Sequence, residues 1–142
     1  MRPMTPDDLY AIHWMGEADI SPDGERVAFV VTRMDRETDG YRSAIWLVDT
    51  GGGEPRQFTA GARRDTSPRW SPDGSMLAFV SERGEDKPQL AVMPATGGES
   101  RLLAKMPLGA GVPTWSPDGT RIALSAKTGT PPDPDPKKAK PY

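Results

Sequence analysis

A serine followed two residues later by an aspartate occurs three times, at Ser21 and Asp23, Ser71 and Asp73, and Ser116 and Asp118. Hydroxyls and carboxylates this close are raw material for two chemistries: acyl transfer through an activated serine, and cation binding through aspartates. A serine attacks only when a general base stands beside it, and none can be assigned to these three. The single histidine, His13, comes before the first copy and next to Trp14, where it reads as a packed or hydrogen-bonded side chain. One aspartate in each of three separate turns supplies no converging ligand set. No His/Asp/Glu cluster has ligand spacing, and Asp133 and Asp135 lie in a proline-rich tail without companions. The absence of cysteine removes thiolate chemistry and disulfides. Gly51-Gly52-Gly53 and Gly109-Ala110-Gly111 are not phosphate loops, since no Gly-Lys-Ser/Thr follows. Arg33, Glu82 and Arg83 read as surface charges. No catalytic, cofactor-binding or metal-binding residue is assigned, and no cofactor is expected.

The paired residues make sense as turn chemistry. Each belongs to the string Ser-Pro-Asp-Gly, at Ser21–Gly24, Ser71–Gly74 and Ser116–Gly119. Proline sets φ for the first corner of a tight turn, aspartate suits the second, and glycine takes the left-handed position that returns the chain to a sheet. An apolar stretch follows each turn, at Glu25–Val31, Ser75–Val80 and Thr120–Leu124. Val27, Ala28 and Phe29 align with Leu77, Ala78 and Phe79 and with Ile122, Ala123 and Leu124, so large and small apolar residues alternate and both faces of the strand are expected to be covered. A next strand is expected at Ile45–Val48 and Leu90–Met93, and a shorter one at Arg56–Thr59 and Arg101–Leu103. The strand entering the turn ends in Trp70 and Trp115, with Ile20 at that place in the first repeat.

The repeat has a fixed length. Gly52-Gly53-Glu54 and Gly97-Gly98-Glu99 are offset by 45, whereas Ser21 and Ser71 are offset by 50. The first repeat therefore carries five extra residues, expected in a polar loop within Met34 to Ser43. Four short strands per ~45 residues is the blade of a β-propeller. The fold expected is all-β: a partial β-propeller of about two and a half four-stranded antiparallel blades, with a short N-terminal helix. The divisions are residues 1–13 (helix and lead-in), 14–127 (blades 1 to 3, the third incomplete) and 128–142 (a Pro/Asp/Lys-rich loop or tail). The helix is expected over Thr5–Ile12, with Thr5 as N-cap and Pro6 at the first position. Propellers close with 4–8 blades, so the chain reads as a piece of a longer protein that must associate, with itself as a homo-oligomer or with missing blades.

Composition narrows the partners. The net charge is −2 and the basic residues are scattered, so neither nucleic acid nor a membrane is expected as partner. Met1–Asp8 lacks an apolar signal core and no run approaches 18 apolar residues, so the expected location is cytoplasmic.

Met4-Thr5-Pro6-Asp7-Asp8-Leu9, Ala18-Asp19-Ile20-Ser21-Pro22-Asp23-Gly24 and the two Trp-Ser-Pro-Asp-Gly copies together resemble the N-terminal propeller of the prolyl oligopeptidase family of serine peptidases, in the acylaminoacyl-peptidase and dipeptidyl-peptidase-like branch. The resemblance covers nearly the whole chain, although Trp-Ser-Pro-Asp-Gly alone also occurs in TolB-type propellers. It implies a second, α/β-hydrolase domain beyond Tyr142 carrying a Ser-Asp-His triad on Gly-x-Ser-x-Gly. That motif is absent here, so no triad role transfers to this chain. The implied role is to cap the hydrolase site and restrict entry to short peptide substrates, the hydrolase domain of the same protein being the main partner. The alternative is a non-enzymatic TolB-type propeller that binds proteins.

Overall fold

The structure, a computed structural model, describes residues 2–83 and 87–129. Among the described residues, ten strands form three antiparallel sheets in chain order. Blade 1 contains β1 (His13–Ile20), β2 (Arg26–Asp35), β3 (Gly40–Asp49) and β4 (Arg56–Gln57). Blade 2 contains β5 (Asp65–Trp70), β6 (Met76–Ser81), β7 (Gln89–Pro94) and β8 (Arg101–Leu102). Blade 3 contributes β9 (Ala110–Trp115) and β10 (Ile122–Ala126). Each sheet is a meander in which sequence neighbours pair, the arrangement short turns favour. The first strand of each blade lies across the blade before it, β5 against β1, β2 and β3, and β9 against β5, β6 and β7.

One expectation needs correction. The segment Met34 to Ser43 is mostly strand rather than loop: β2 and β3 stay paired out to Asp35 and Gly40, leaving only Arg36–Asp39 as the connection. The five extra residues lengthen a hairpin, because Thr32, Arg33 and Met34 keep finding cross-strand partners in Ser43, Arg42 and Tyr41. The N-terminal helix is a single 3-10 segment, Pro6–Ala11, without buried residues. Asp8 sets its start, accepting from the Thr5 backbone N–H (2.7 Å) and hydroxyl (3.0 Å) and pairing with Arg2. The Arg2 guanidinium, then the Thr5 N–H, hold the Asp8 carboxyl well below the usual carboxylate range. The segment from residue 130 onward, which holds Asp133, Asp135 and most of the Pro/Asp/Lys-rich stretch, lies outside the described residues.

The core consists of two layers between blades. Ala28, Ile45 and Leu47 of blade 1 meet Trp70, Leu77, Phe79, Ala91 and Met93 of blade 2. On the opposite face of blade 2, Ala78, Leu90 and Val92 meet Ala110, with Trp115, Ile122 and Leu124 packed against them. Large–small alternation along β6 thus assigns Leu77 and Phe79 to one interface and Ala78 to the other, as a period of two requires. Both Leu77 and Phe79 are fully enclosed, and burial of each contributes about 1.5–3 kcal/mol. The first strands also share an irregularity. β1 bulges at Glu17 and β5 at Ser67, each with positive φ (32° and 53°), and the pairing of β9 shifts in the same region.

Candidate functional site

The three Ser-Pro-Asp-Gly turns are alike to within a few tenths of an ångström. In the first, the Gly24 N–H donates to the Ser21 carbonyl (2.8 Å), and the Ser21 N–H donates to the Arg26 carbonyl (2.8 Å), closing the hairpin. Gly24, Gly74 and Gly119 have φ of 75°, 69° and 70°, the left-handed region where a side chain is strained. The serine hydroxyl donates to the aspartate: Ser21 to Asp23 at 2.5 Å, Ser71 to Asp73 at 2.6 Å, Ser116 to Asp118 at 2.6 Å. The same oxygen accepts a backbone N–H five residues on, from Arg26, Met76 and Arg121. The aspartate accepts the backbone N–H of Glu25, Ser75 and Thr120, each at 3.0 Å. Serine and aspartate are thus committed to the turn, and the serine oxygen has no base to activate it. The serine hydroxyl, then the backbone N–H, pull Asp73 and Asp118 down to about 2 and lower Asp23 in the same direction.

The turns are also inter-blade contacts. A methyl group built on Gly74 would lie 3.6 Å from the Pro22 ring, and one on Gly119 3.6 Å from the Pro72 ring. Beside this stack the tryptophans tie blade to blade. The Trp70 indole N–H donates to the Asp19 carbonyl (3.2 Å), and the Trp115 indole N–H to the Arg69 carbonyl (3.0 Å). In both cases the acceptor precedes the residue that holds the tryptophan position in the blade before. The Trp70 backbone N–H reaches the Asp19 carboxylate as well (2.8 Å), and the Arg26 guanidinium lies 4.7 Å from the Trp70 ring centre. Sequence inspection could have flagged the recurring Trp before Ser-Pro-Asp-Gly as a donor, but its acceptor lies in a neighbouring repeat, 51 and 46 residues away.

The polar residues of the opposite hairpin end are not all surface charges. Arg83 pairs with the nearly buried Asp65 (3.3 Å) and donates to Ser100 (2.5 Å), while the Ser81 hydroxyl donates to the same aspartate (2.6 Å). Glu82 faces Arg64 at 4.0 Å. The reading of Arg83 as a plain surface charge is therefore corrected: it neutralises a buried carboxylate, which sequence alone does not disclose. Arg33 is exposed and has no ion-pair partner among the described residues. His13 is also exposed rather than packed, and it lines a cleft of about 210 Å³ with Arg33, Arg42, Trp46 and Gln57. Trp14 is half open to solvent, edge-on to Tyr41 at 5.6 Å. Among the described residues no three His, Asp or Glu side chains converge as a metal site, and no helix is long and apolar enough to cross a membrane.

Four-stranded antiparallel meanders, stacked face to face with each first strand across the preceding sheet, define a segment of a β-propeller. The chain belongs to the TolB beta-propeller domain family, which it matches over residues 14–131. It is 43% identical over 106 residues to the uncharacterized peptidase YuxL of Bacillus subtilis, a match covering 75% of this chain and 16% of that protein. The chain thus spans about a sixth of the length of this relative. Among solved structures, it is similar to the acylaminoacyl peptidase of Pyrococcus horikoshii, with a TM-score of 0.66 and 19% identity, covering 82% of this chain and 18% of that one. It is also similar to a putative TolB from Agrobacterium tumefaciens, with a TM-score of 0.60 and 25% identity, covering 74% of this chain and 35% of that one. The chain is therefore a propeller segment of the kind found in peptidases and in TolB-like proteins.

Proposed function

We propose that these residues are the opening blades of the propeller of an intracellular serine peptidase of the prolyl oligopeptidase type. The propeller covers an α/β-hydrolase domain of the same protein and admits short peptides to it. The single observation that carries this reading is the 43% identity to a peptidase of which the matched region is only 16%. The match pairs three quarters of this chain with about a sixth of that peptidase, which supports reading the chain as an accessory segment of a longer protein. The serine geometry agrees: Ser21, Ser71 and Ser116 are held by turn hydrogen bonds and have no base beside them. The triad belongs to other polypeptide, and the propeller contributes a steric filter. The second reading, a protein-binding propeller, is favoured by the match to the TolB domain family and by the similarity to the Agrobacterium protein.

A serine-directed fluorophosphonate separates the two. The full-length protein should be labelled outside these 142 residues and should cleave short peptides faster than a folded protein containing the same sequence. A full-length protein that takes no label, or a label on Ser21, Ser71 or Ser116, overturns the peptidase reading.

A further inference from the structure

The five extra residues of blade 1 lie where the lead-in to the first strand arrives. Twelve residues (32–43) separate Val31 from Ala44, against seven (82–88) between their counterparts Ser81 and Gln89. In blade 1 the ladder continues through Thr32 with Ser43, Arg33 with Arg42, Met34 with Tyr41 and Asp35 with Gly40. Among the described residues of blade 2 it has no equivalent, because pairing there ends at Ser81 with Gln89. The tip of the extension is braced. The Asp35 carboxylate accepts the Thr38 N–H (3.2 Å) and hydroxyl (2.7 Å) and pairs with Arg42 (3.0 Å), while Asp39 holds a positive φ of 47°. Arg36, in the connection, is carried on this frame.

Two side chains of the extension meet the lead-in. The Arg36 guanidinium donates to the Asp7 carboxylate (2.5 Å) and lies 4.9 Å from the Tyr10 ring centre. The 3-10 form makes this double contact possible, since at three residues per turn Asp7 and Tyr10 eclipse on one face. An α-helix would turn them about 60° apart. The neighbouring acid, Asp8, is taken by Arg2 within the lead-in itself, so Asp7 is the carboxylate left for the hairpin. Nearer the sheet, Tyr41 meets Trp14 edge-on, with ring centres 5.6 Å apart and planes at 78°. No residue of the 3-10 segment is buried, so an apolar core does not hold it.

We infer that the extended hairpin of blade 1 is a docking surface whose occupant is the chain's own N-terminal segment, with Arg36 recognising the Asp7–Tyr10 face and Tyr41 seating Trp14. The extension occurs in the blade that the segment enters, and Arg36 and Tyr41 both belong to the residues added there. Docking fixes the path by which the chain reaches β1. The surface selects an acid three residues before a tyrosine. Salt weakens it, because the Arg36 and Asp7 side chains are 64% and 76% exposed. None of this depends on the peptidase reading.

The experiment is hydrogen exchange on the full-length protein, read by mass spectrometry of its peptides. Asp7→Lys and Arg36→Glu should each speed exchange across residues 5–12 by about three- to tenfold, the range for an exposed ion pair joined to a cation–π contact. The double reversal, Asp7→Lys with Arg36→Glu, should recover about half or more of the lost protection. Arg33→Gln, in the same hairpin, should leave these residues unchanged. Peptides covering β6 report whether the blades remain folded. Unchanged exchange in Asp7→Lys overturns the inference. So does faster exchange that the double reversal fails to recover, since the loss then belongs to the segment's own first turn, where a lysine opposes the helix dipole. Where Arg36→Glu does not fold, Tyr10→Leu decides: it removes the ring and leaves the charge at the segment's start, and it should speed exchange by about two- to fivefold. No change in Tyr10→Leu overturns the docking. Failure of fluorophosphonate labelling with the segment docked defeats the peptidase reading alone.

Discussion

Blades 1 and 2 share their strand order, their turn and the same apolar pattern, yet Phe29 is half-buried and Phe79 is fully enclosed. The difference lies in the neighbours. Among the described residues, blade 2 has a sheet on each side, and blade 1 has one. What a large apolar residue contributes is fixed by what it is packed against, not by its place in the repeat. The same holds for charge: Arg83 and Arg33 occupy equivalent positions, and among the described residues only Arg83 of the two has a carboxylate partner.

The sharpest way to test this comparison is to truncate the two phenylalanines. In urea unfolding, Phe79→Ala should cost about 3–5 kcal/mol, and Phe29→Ala clearly less in the 142-residue chain. Equal losses would break the comparison, since they would mean that blade 1 is covered on both faces. Next in size is the pairing of the buried Asp65 with the exposed Arg83. Asp65→Ala strands Arg83 and the Ser81 hydroxyl and should cost about 1–3 kcal/mol, while Arg33→Met in blade 1 should leave the unfolding midpoint of the same chain unchanged. Trp70→Phe keeps the packed ring and removes the indole donor. It should cost about 1 kcal/mol, and Ile20→Trp should bring no gain until a preceding blade supplies an acceptor.

The smallest effect is a pH dependence shared by all three turns. Asp73 and Asp118 titrate at about 2 in the folded chain against an ordinary 3.8. A carboxylate depressed by folding stabilises the fold above its unfolded pKa, and that contribution fades as pH falls from about 4 through about 2. The melting temperature should therefore drop across that window. Ser71→Ala should flatten the part due to Asp73, because the serine hydroxyl is the largest cause of its shift. An unaltered profile would show that the serine does not hold the aspartate.

Much of the fold was legible in the residues. The turn string with its glycine, the alternation around Ala28 and Ala78, and the 45-residue offset led to antiparallel blades, because these are local requirements of backbone and side-chain direction. The segment that holds the five extra residues was legible, but not its form: it was expected as a loop and is mostly hairpin. An extended hairpin differs from a loop only through cross-strand pairing such as Arg33 with Arg42 along the ladder. Of the site, the roles of Ser21 and Asp23 could be read, while those of Asp19, Asp65 and Arg83 could not.

The sequence by itself determined where the chain turns and which residues alternate within a strand, since those outcomes depend on neighbours a few positions away. Only the tertiary structure decided which face of each blade is enclosed, which carbonyl receives each indole, and which arginine finds a carboxylate. Those partners come together when sheets stack, across 46 and 51 residues for the two indole hydrogen bonds, and no local rule of conformation reaches that far.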